Sequence, residues 1–79
     1  MTVKVLLFAS ARDKMGCAEL ALEVSEGLCV RDLLALPEMA RLDVERDRLR
    51  FAVNEEFVEL QARVKDGDLL AVIPPVCGG

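Results

Sequence analysis

The sequence predicts an α+β domain, with a helix packed across one face of a mixed sheet. Three observations carry that prediction. Apolar residues alternate in Val3-Val5-Leu7, Leu20-Leu22-Val24 and Leu49-Phe51-Val53, and period two is the signature of a strand. Between them, Val30, Leu33 and Leu34 recur at the three- and four-residue spacing of a helix face. Turn-forming clusters, Ser25-Glu26-Gly27, Asn54-Glu55-Glu56 and Asp66-Gly67-Asp68, punctuate these segments. One helix laid across a set of strands in this order is an α+β layering.

The elements follow in chain order. Thr2 to Ala9 reads as a strand, with Val3, Val5 and Leu7 on one face and Lys4, Leu6 and Phe8 on the other. Apolar residues on both faces place it centrally or under a partner. Ser10 to Gly16 is polar and ends in Gly, so a loop is expected. Ala18 to Val24 sets Leu20, Leu22 and Val24 against Glu19, Ala21 and Glu23, a half-buried strand joined to the first as a hairpin. The helix is expected from Val30 to Leu36. Pro37 ends it, because an interior proline removes a hydrogen bond and clashes with the preceding turn. A second helical turn is expected to start at Pro37, with Met39, Ala40 and Leu42 covering the core. Leu49 to Val53 is a strand, Phe57-Val58 a short returning one, and Leu69 to Ile73 the last. In that last strand Leu70 and Val72 share one face, and Leu69, Ala71 and Ile73 the other.

Length and composition narrow the function. Seventy-nine residues make one domain, 1–79, with 74–79 read as an extended C-terminal tail. The chain is 53% apolar, enough for one core. It is too small to add a deep pocket of the roughly 300 Å³ or more that small ligands occupy, which disfavours a self-contained enzyme. The net charge is −4, and the densest basic stretch, Arg41 to Arg50, also holds Asp43, Glu45 and Asp47. It reads as a solvated face, and the basic patch of a nucleic-acid binder is missing. No apolar run reaches the roughly 20 residues that span a bilayer, and no signal peptide is evident. Three cysteines, Cys17, Cys29 and Cys77, include no Cys-x-x-Cys pair. Neither a disulfide framework nor a metal site is expected, and a cytoplasmic location fits.

There is no histidine to act as acid, base or ligand. Glu55-Glu56 reads as solvated turn residues, and Cys17 and Cys29 as small buried or partly buried hydrophobes. The C-terminus is different. A strand runs to Ile73 and meets Pro74-Pro75, which lock φ and end the ladder. Val76, Cys77, Gly78 and Gly79 follow. Glycines have no Cβ, so such an end fits a narrow channel in a partner and offers its carboxylate there.

Val72-Ile73-Pro74-Pro75-Val76-Cys77-Gly78-Gly79 resembles the tail of the ubiquitin-like sulfur carriers that form the small subunit of molybdopterin synthase, molybdopterin-converting factor subunit 1. Ala52-Val53-Asn54, Asp66-Gly67-Asp68 and the opening Val3-Lys4-Val5-Leu6-Leu7-Phe8-Ala9 are similar to that family too. The resemblance implies a β-grasp fold. It also implies that Gly79 carries the chemistry, with no cofactor bound by the chain itself. An adenylyltransferase related to ubiquitin activators would consume ATP to adenylate the Gly79 carboxylate. A sulfur donor protein would convert the mixed anhydride to a thiocarboxylate. The large, catalytic synthase subunit would then receive the tail and pass the sulfur to cyclic pyranopterin monophosphate. In that reading Gly78 supplies thinness, Pro74 and Pro75 supply reach, and Leu6, Phe8 and Ile73 form the docking patch. Cys77 stands where many relatives carry Thr. A thiol at that position is placed to exchange sulfur with a thiocarboxylate, and simple replacement is the plainer reading. A thiamine-pathway sulfur carrier, a protein modifier joined through Gly79 to lysines, and a binding module with an inert tail are the alternatives. Pro74-Pro75 and the chain length favour the molybdenum reading over the thiamine one.

Overall fold

The computed structural model describes residues 1–75, and the side chains of all of these except 43–47. Five strands, β1 (Thr2–Leu7), β2 (Glu19–Glu23), β3 (Arg50–Val53), β4 (Glu56–Val58) and β5 (Leu69–Ile73), form one sheet in the order β2-β1-β5-β3-β4. The first and last strands lie side by side at its centre and run parallel. The β1–β2, β3–β5 and β3–β4 pairs are antiparallel. This is the mixed sheet and β-grasp connectivity that the sequence and its resemblance led us to expect.

The central parallel register is set by the turn that precedes β5. Gly67, with φ 85°, donates its N–H to Thr2 O at 2.8 Å. Thr2 N in return donates to Asp66 Oδ1 at 2.7 Å, and Lys4 N to Asp68 O at 3.0 Å. These bonds lock the start of β5 beside the start of β1, giving the pairs Lys4 with Leu69 and Leu6 with Ala71.

Parity then sorts the side chains as the alternation predicts. Val3, Val5, Leu7, Leu22, Phe51, Leu70 and Val72 are buried on one face. There they meet Ala11, Val30, Leu33, Leu34, Met39, Leu42, Leu49 and Val64 in one cluster. Val3, Val5, Leu70 and Val72 are fully buried, and each contributes on the order of 1.5–3 kcal/mol by leaving water.

The helical layer is in more pieces than expected. α2 runs only over Val30–Leu34, and a 3₁₀ helix starts at Pro37, as expected, and continues to Arg48. Met39 and Leu42 bury themselves from it, whereas Ala40, also expected to face the core, is exposed. In a 3₁₀ helix residues three apart eclipse one another, so the Met39–Leu42 stripe leaves Ala40 on another side.

Residues expected to form a loop instead make a helix, α1 (Ala9–Met15). Phe8 O accepts from Ala11 N at 3.0 Å, and Ala11 is fully buried. Gly16 closes the helix in the left-handed conformation, φ 76°, donating to Arg12 O at 2.8 Å. Such a glycine cap is cheap because no Cβ opposes it. β1 and β2 still pair, but through this helix and not through a simple hairpin.

Candidate functional site

β5 lies between β1 and β3, so the tail leaves from the middle of the sheet. The last bonds around it are Phe8 N to Val72 O at 3.3 Å and the pairing of Ile73 with Arg50. Pro74, with no N–H, cannot extend the ladder. It is buried, and Pro75 is exposed. Val76, Cys77, Gly78 and Gly79 lie outside the described residues.

The face of the sheet turned away from the helices carries Leu6, Phe8 and Ile73 together. Leu6 pairs with Ala71, two residues before Ile73, and Phe8 follows β1 on the same parity. Leu6 and Ile73 are half-buried and Phe8 is 47% exposed. Leu6, Leu69 and Ile73 do not belong to the core cluster.

The structure adds one residue that the sequence reading missed. Phe57 is 67% exposed, the most open large apolar side chain among the described residues. The register places it in a row across this face: Phe57 opposite Ala52, Ala52 opposite Ala71, and Ala71 opposite Leu6. Ala52 is buried although it lies outside the core cluster. An apolar surface therefore runs from β4 to β1 and borders the root of the tail. Contiguous apolar surface of this kind marks an interaction site.

Charge on the face is uneven. Toward β2, Lys4 Nζ lies 3.9 Å from Glu19 Oε2 and Thr2 Oγ1 donates to Glu23 Oε1 at 2.6 Å. In the apolar zone the charged side chain is Arg50, exposed beside Ile73.

The two described cysteines lie elsewhere. Cys17 is half-buried against the core. Cys29 caps α2: its N–H donates to Asp32 Oδ2 at 3.0 Å and its thiol donates to the same oxygen at 3.3 Å. The Cys29 backbone N–H, then the thiol, hold the Asp32 carboxyl below its ordinary value of 3.8. The bonds make Cys29 a cap, beyond the small buried or partly buried hydrophobe expected. Among the described residues no group of three His, Cys, Asp or Glu converges as metal ligands do.

Comparison with known proteins agrees with this geometry. The family model described as "ThiS family" matches residues 5–79. The molybdopterin synthase sulfur carrier subunit of Chlamydomonas reinhardtii is 40% identical, with all of both chains covered. Among solved structures, small archaeal modifier protein 1 of Haloferax volcanii superposes with a TM-score of 0.86 at 26% identity, covering all of both chains. A chain from the protein–protein complex of subunits 1 and 2 of the molybdopterin-converting factor of Helicobacter pylori does so with a TM-score of 0.71 at 27% identity, again over all of both chains. A five-stranded sheet with parallel first and last strands, a Gly-Gly end and a match over nearly the whole length have one conclusion: the chain belongs to the ThiS family, alongside the molybdopterin synthase sulfur carrier subunits.

Proposed function

We propose that this protein is the sulfur carrier subunit of a molybdopterin synthase. The observation that carries the reading is the coincidence of an apolar sheet face with the root of a Gly-Gly tail. The body offers a surface to hold, and the central strand leads into Pro74-Pro75 at the border of that surface. The names of the full-length relatives and the two-subunit complex support it.

In this reading the Gly79 carboxylate attacks the α-phosphorus of ATP on a ubiquitin-activator-like adenylyltransferase and displaces pyrophosphate. A donor protein releases its sulfur at the sulfide level, as HS⁻; this attacks the acyl carbon, AMP leaves with the bonding pair, and the resulting thioacid loses its proton. The product is a thiocarboxylate on Gly79. The loaded tail enters the large subunit, which moves the sulfur to cyclic pyranopterin monophosphate, and two loaded carriers supply the two sulfurs of one dithiolene. The chain itself binds no cofactor: its residues position a carbon atom that other proteins charge and unload. Leu6, Phe8 and Ile73, with Phe57, hold the large subunit and, in turn, the activating enzyme.

Intact-mass measurement after incubation with ATP, the adenylyltransferase and a sulfur donor tests the reading. The free chain should gain the mass of one oxygen-to-sulfur exchange, and removal of Gly78-Gly79 should abolish the gain. A chain that instead accumulates as lysine-linked adducts on other proteins would favour a protein modifier, the reading that the likeness to small archaeal modifier protein 1 supports. A chain whose truncation changes nothing would be a binding module with an inert tail.

A further inference from the structure

We propose that the large subunit reads Arg50 with a carboxylate, so that an acidic side chain on that partner sets which carrier it accepts. The inference rests on the docking reading above and adds a charge requirement to it. Arg50 begins β3 opposite Ile73, on the face that carries Leu6, Phe8 and Phe57, and it is exposed. Arg50 and Phe57 also line one open groove at the β3–β4 edge, together with Leu49, Phe51, Val58, Glu59 and Leu60.

The other cation of this face is already answered, since Lys4 faces Glu19. Arg50 is not: no ion pair or hydrogen bond of its guanidinium is found among the described residues. Glu59 lines the same groove but makes no ion pair with Arg50. A partner that covers Ile73 must also cover the guanidinium of the residue paired with it. Stripping water from an unpaired cation is costly, and a paired, hydrogen-bonded one avoids most of that cost. Guanidinium is also the cation best suited to such a place, because its planar fork matches a carboxylate with two parallel bonds. The occupant that fits is therefore a surface with an apolar centre and an Asp or Glu placed toward the tail channel.

Replacing Arg50 by an apolar residue distinguishes this from a merely tolerated charge. Affinity of the full chain for its cognate large subunit would be measured by calorimetry for wild type, Arg50→Leu, Arg50→Lys and Arg50→Glu. Unchanged circular dichroism and melting would show that each variant folds. Arg50→Leu should weaken binding at least about tenfold, because it leaves the partner's carboxylate buried and unpaired. Arg50→Glu should weaken it further, and Arg50→Lys should retain part of the affinity. Tighter or equal binding by Arg50→Leu overturns the proposal, since removing an unanswered charge from an apolar interface helps association. So does unchanged large-subunit binding with impaired adenylation of Gly79, which would assign the carboxylate to the activating enzyme. Phe8→Asp, measured alongside, separates the two levels. Loss of binding there with no effect at Arg50 keeps the docking face and removes only the charge requirement; full binding by Phe8→Asp removes the face itself.

Discussion

Asn54 clamps Asp68 across the end of the sheet. Its Nδ2 donates to Asp68 Oδ1 at 3.0 Å, and its Oδ1 accepts from Leu69 N at 3.0 Å. Asp68 Oδ2 also accepts from Lys65 N at 2.7 Å, so one carboxylate joins the β3–β4 turn to the turn before β5. The clamp fixes where β5 begins, and a strand of five residues then fixes where Ile73 hands over to the tail. Asn54→Ala removes two hydrogen bonds and puts a Cβ without a polar partner at φ 51°. It should cost about 2–3 kcal/mol, and Asn54→Gly about 1 kcal/mol less, because glycine relieves only the left-handed part. Urea denaturation of the two variants checks this; equal losses would put the whole effect in the hydrogen bonds.

The neighbour of Asn54 points the other way. Glu55 is also left-handed, φ 73°, at the second central position of the same two-residue turn. That conformation at both positions is the hairpin geometry for which Asn-Gly is preferred. Glu55→Gly should therefore stabilise the protein, by about 0.5–1 kcal/mol after allowing for the extra freedom of the unfolded chain. A higher denaturation midpoint is the expected result, and a lower one would mean that Glu55 makes an interaction outweighing the strain.

Asp32 supplies a pH dependence whose sign follows from its bonds. Its carboxylate accepts from the Cys29 N–H and thiol, which holds its pKa in the folded protein below the ordinary 3.8. A group depressed by folding adds stability above its unfolded value, and that stability is lost as pH falls through the folded value. Asp32→Asn should melt lower than wild type at neutral pH, and the gap should close in the acid range below 3.8. Melting curves of both proteins across that range decide it; a gap independent of pH would mean that the charge of Asp32 is irrelevant to the cap.

How much of this was legible beforehand depended on how each element encodes itself. Strand faces were legible because parity is local: Val3, Val5 and Leu7 needed no partner to be assigned inward. Pro37 and Asp66-Gly67-Asp68 announced their turns through fixed backbone chemistry. α1 did not announce itself, because it buries only Ala11 fully and so carries no apolar stripe. Its one signal was Gly16 behind Arg12 and Lys14, a glycine cap after basic residues in the last turn. Leu6, Phe8 and Ile73 were placed correctly on the outer face by parity, whereas Phe57 was not, since a three-residue strand has no period to read. Its place depends on the register across Asn54-Glu55, which joins it to Ala52, Ala71 and Leu6.

Phe57 should matter for that reason. It and Phe8 stand near opposite margins of the apolar face, exposed by 67% and 47%. Neither is in the core cluster, so replacing either by Asp leaves the core packing in place. Phe8→Asp and Phe57→Asp are both expected to leave melting within about 0.5 kcal/mol of wild type in stability. Both should weaken binding to the large subunit by tenfold or more, about 1.4 kcal/mol, as aromatic anchors at interfaces do. Intact binding by Phe8→Asp would defeat the docking face. Intact binding by Phe57→Asp alone would confine it to the β1–β5 side.

The tail itself gives the sharpest test, because folding and sulfur loading are read by separate measurements. The core cluster ends at Val72, Pro74 is buried after it, and the sequence beyond has five residues, Pro75 to Gly79. One alanine added after Gly79 changes no residue of the core cluster, so melting should be unchanged. It moves the carboxylate by one residue, about 3.3–3.6 Å when extended, and puts a Cβ where the terminal glycine passes. Misplacement of a reacting group by even about 1 Å can cost a hundredfold in rate. The extended chain should therefore bind the large subunit yet fail to gain sulfur, read as an unchanged mass after incubation with ATP, the adenylyltransferase and a sulfur donor. Sulfur loading at the wild-type rate would mean that the end of the chain is not the reacting group.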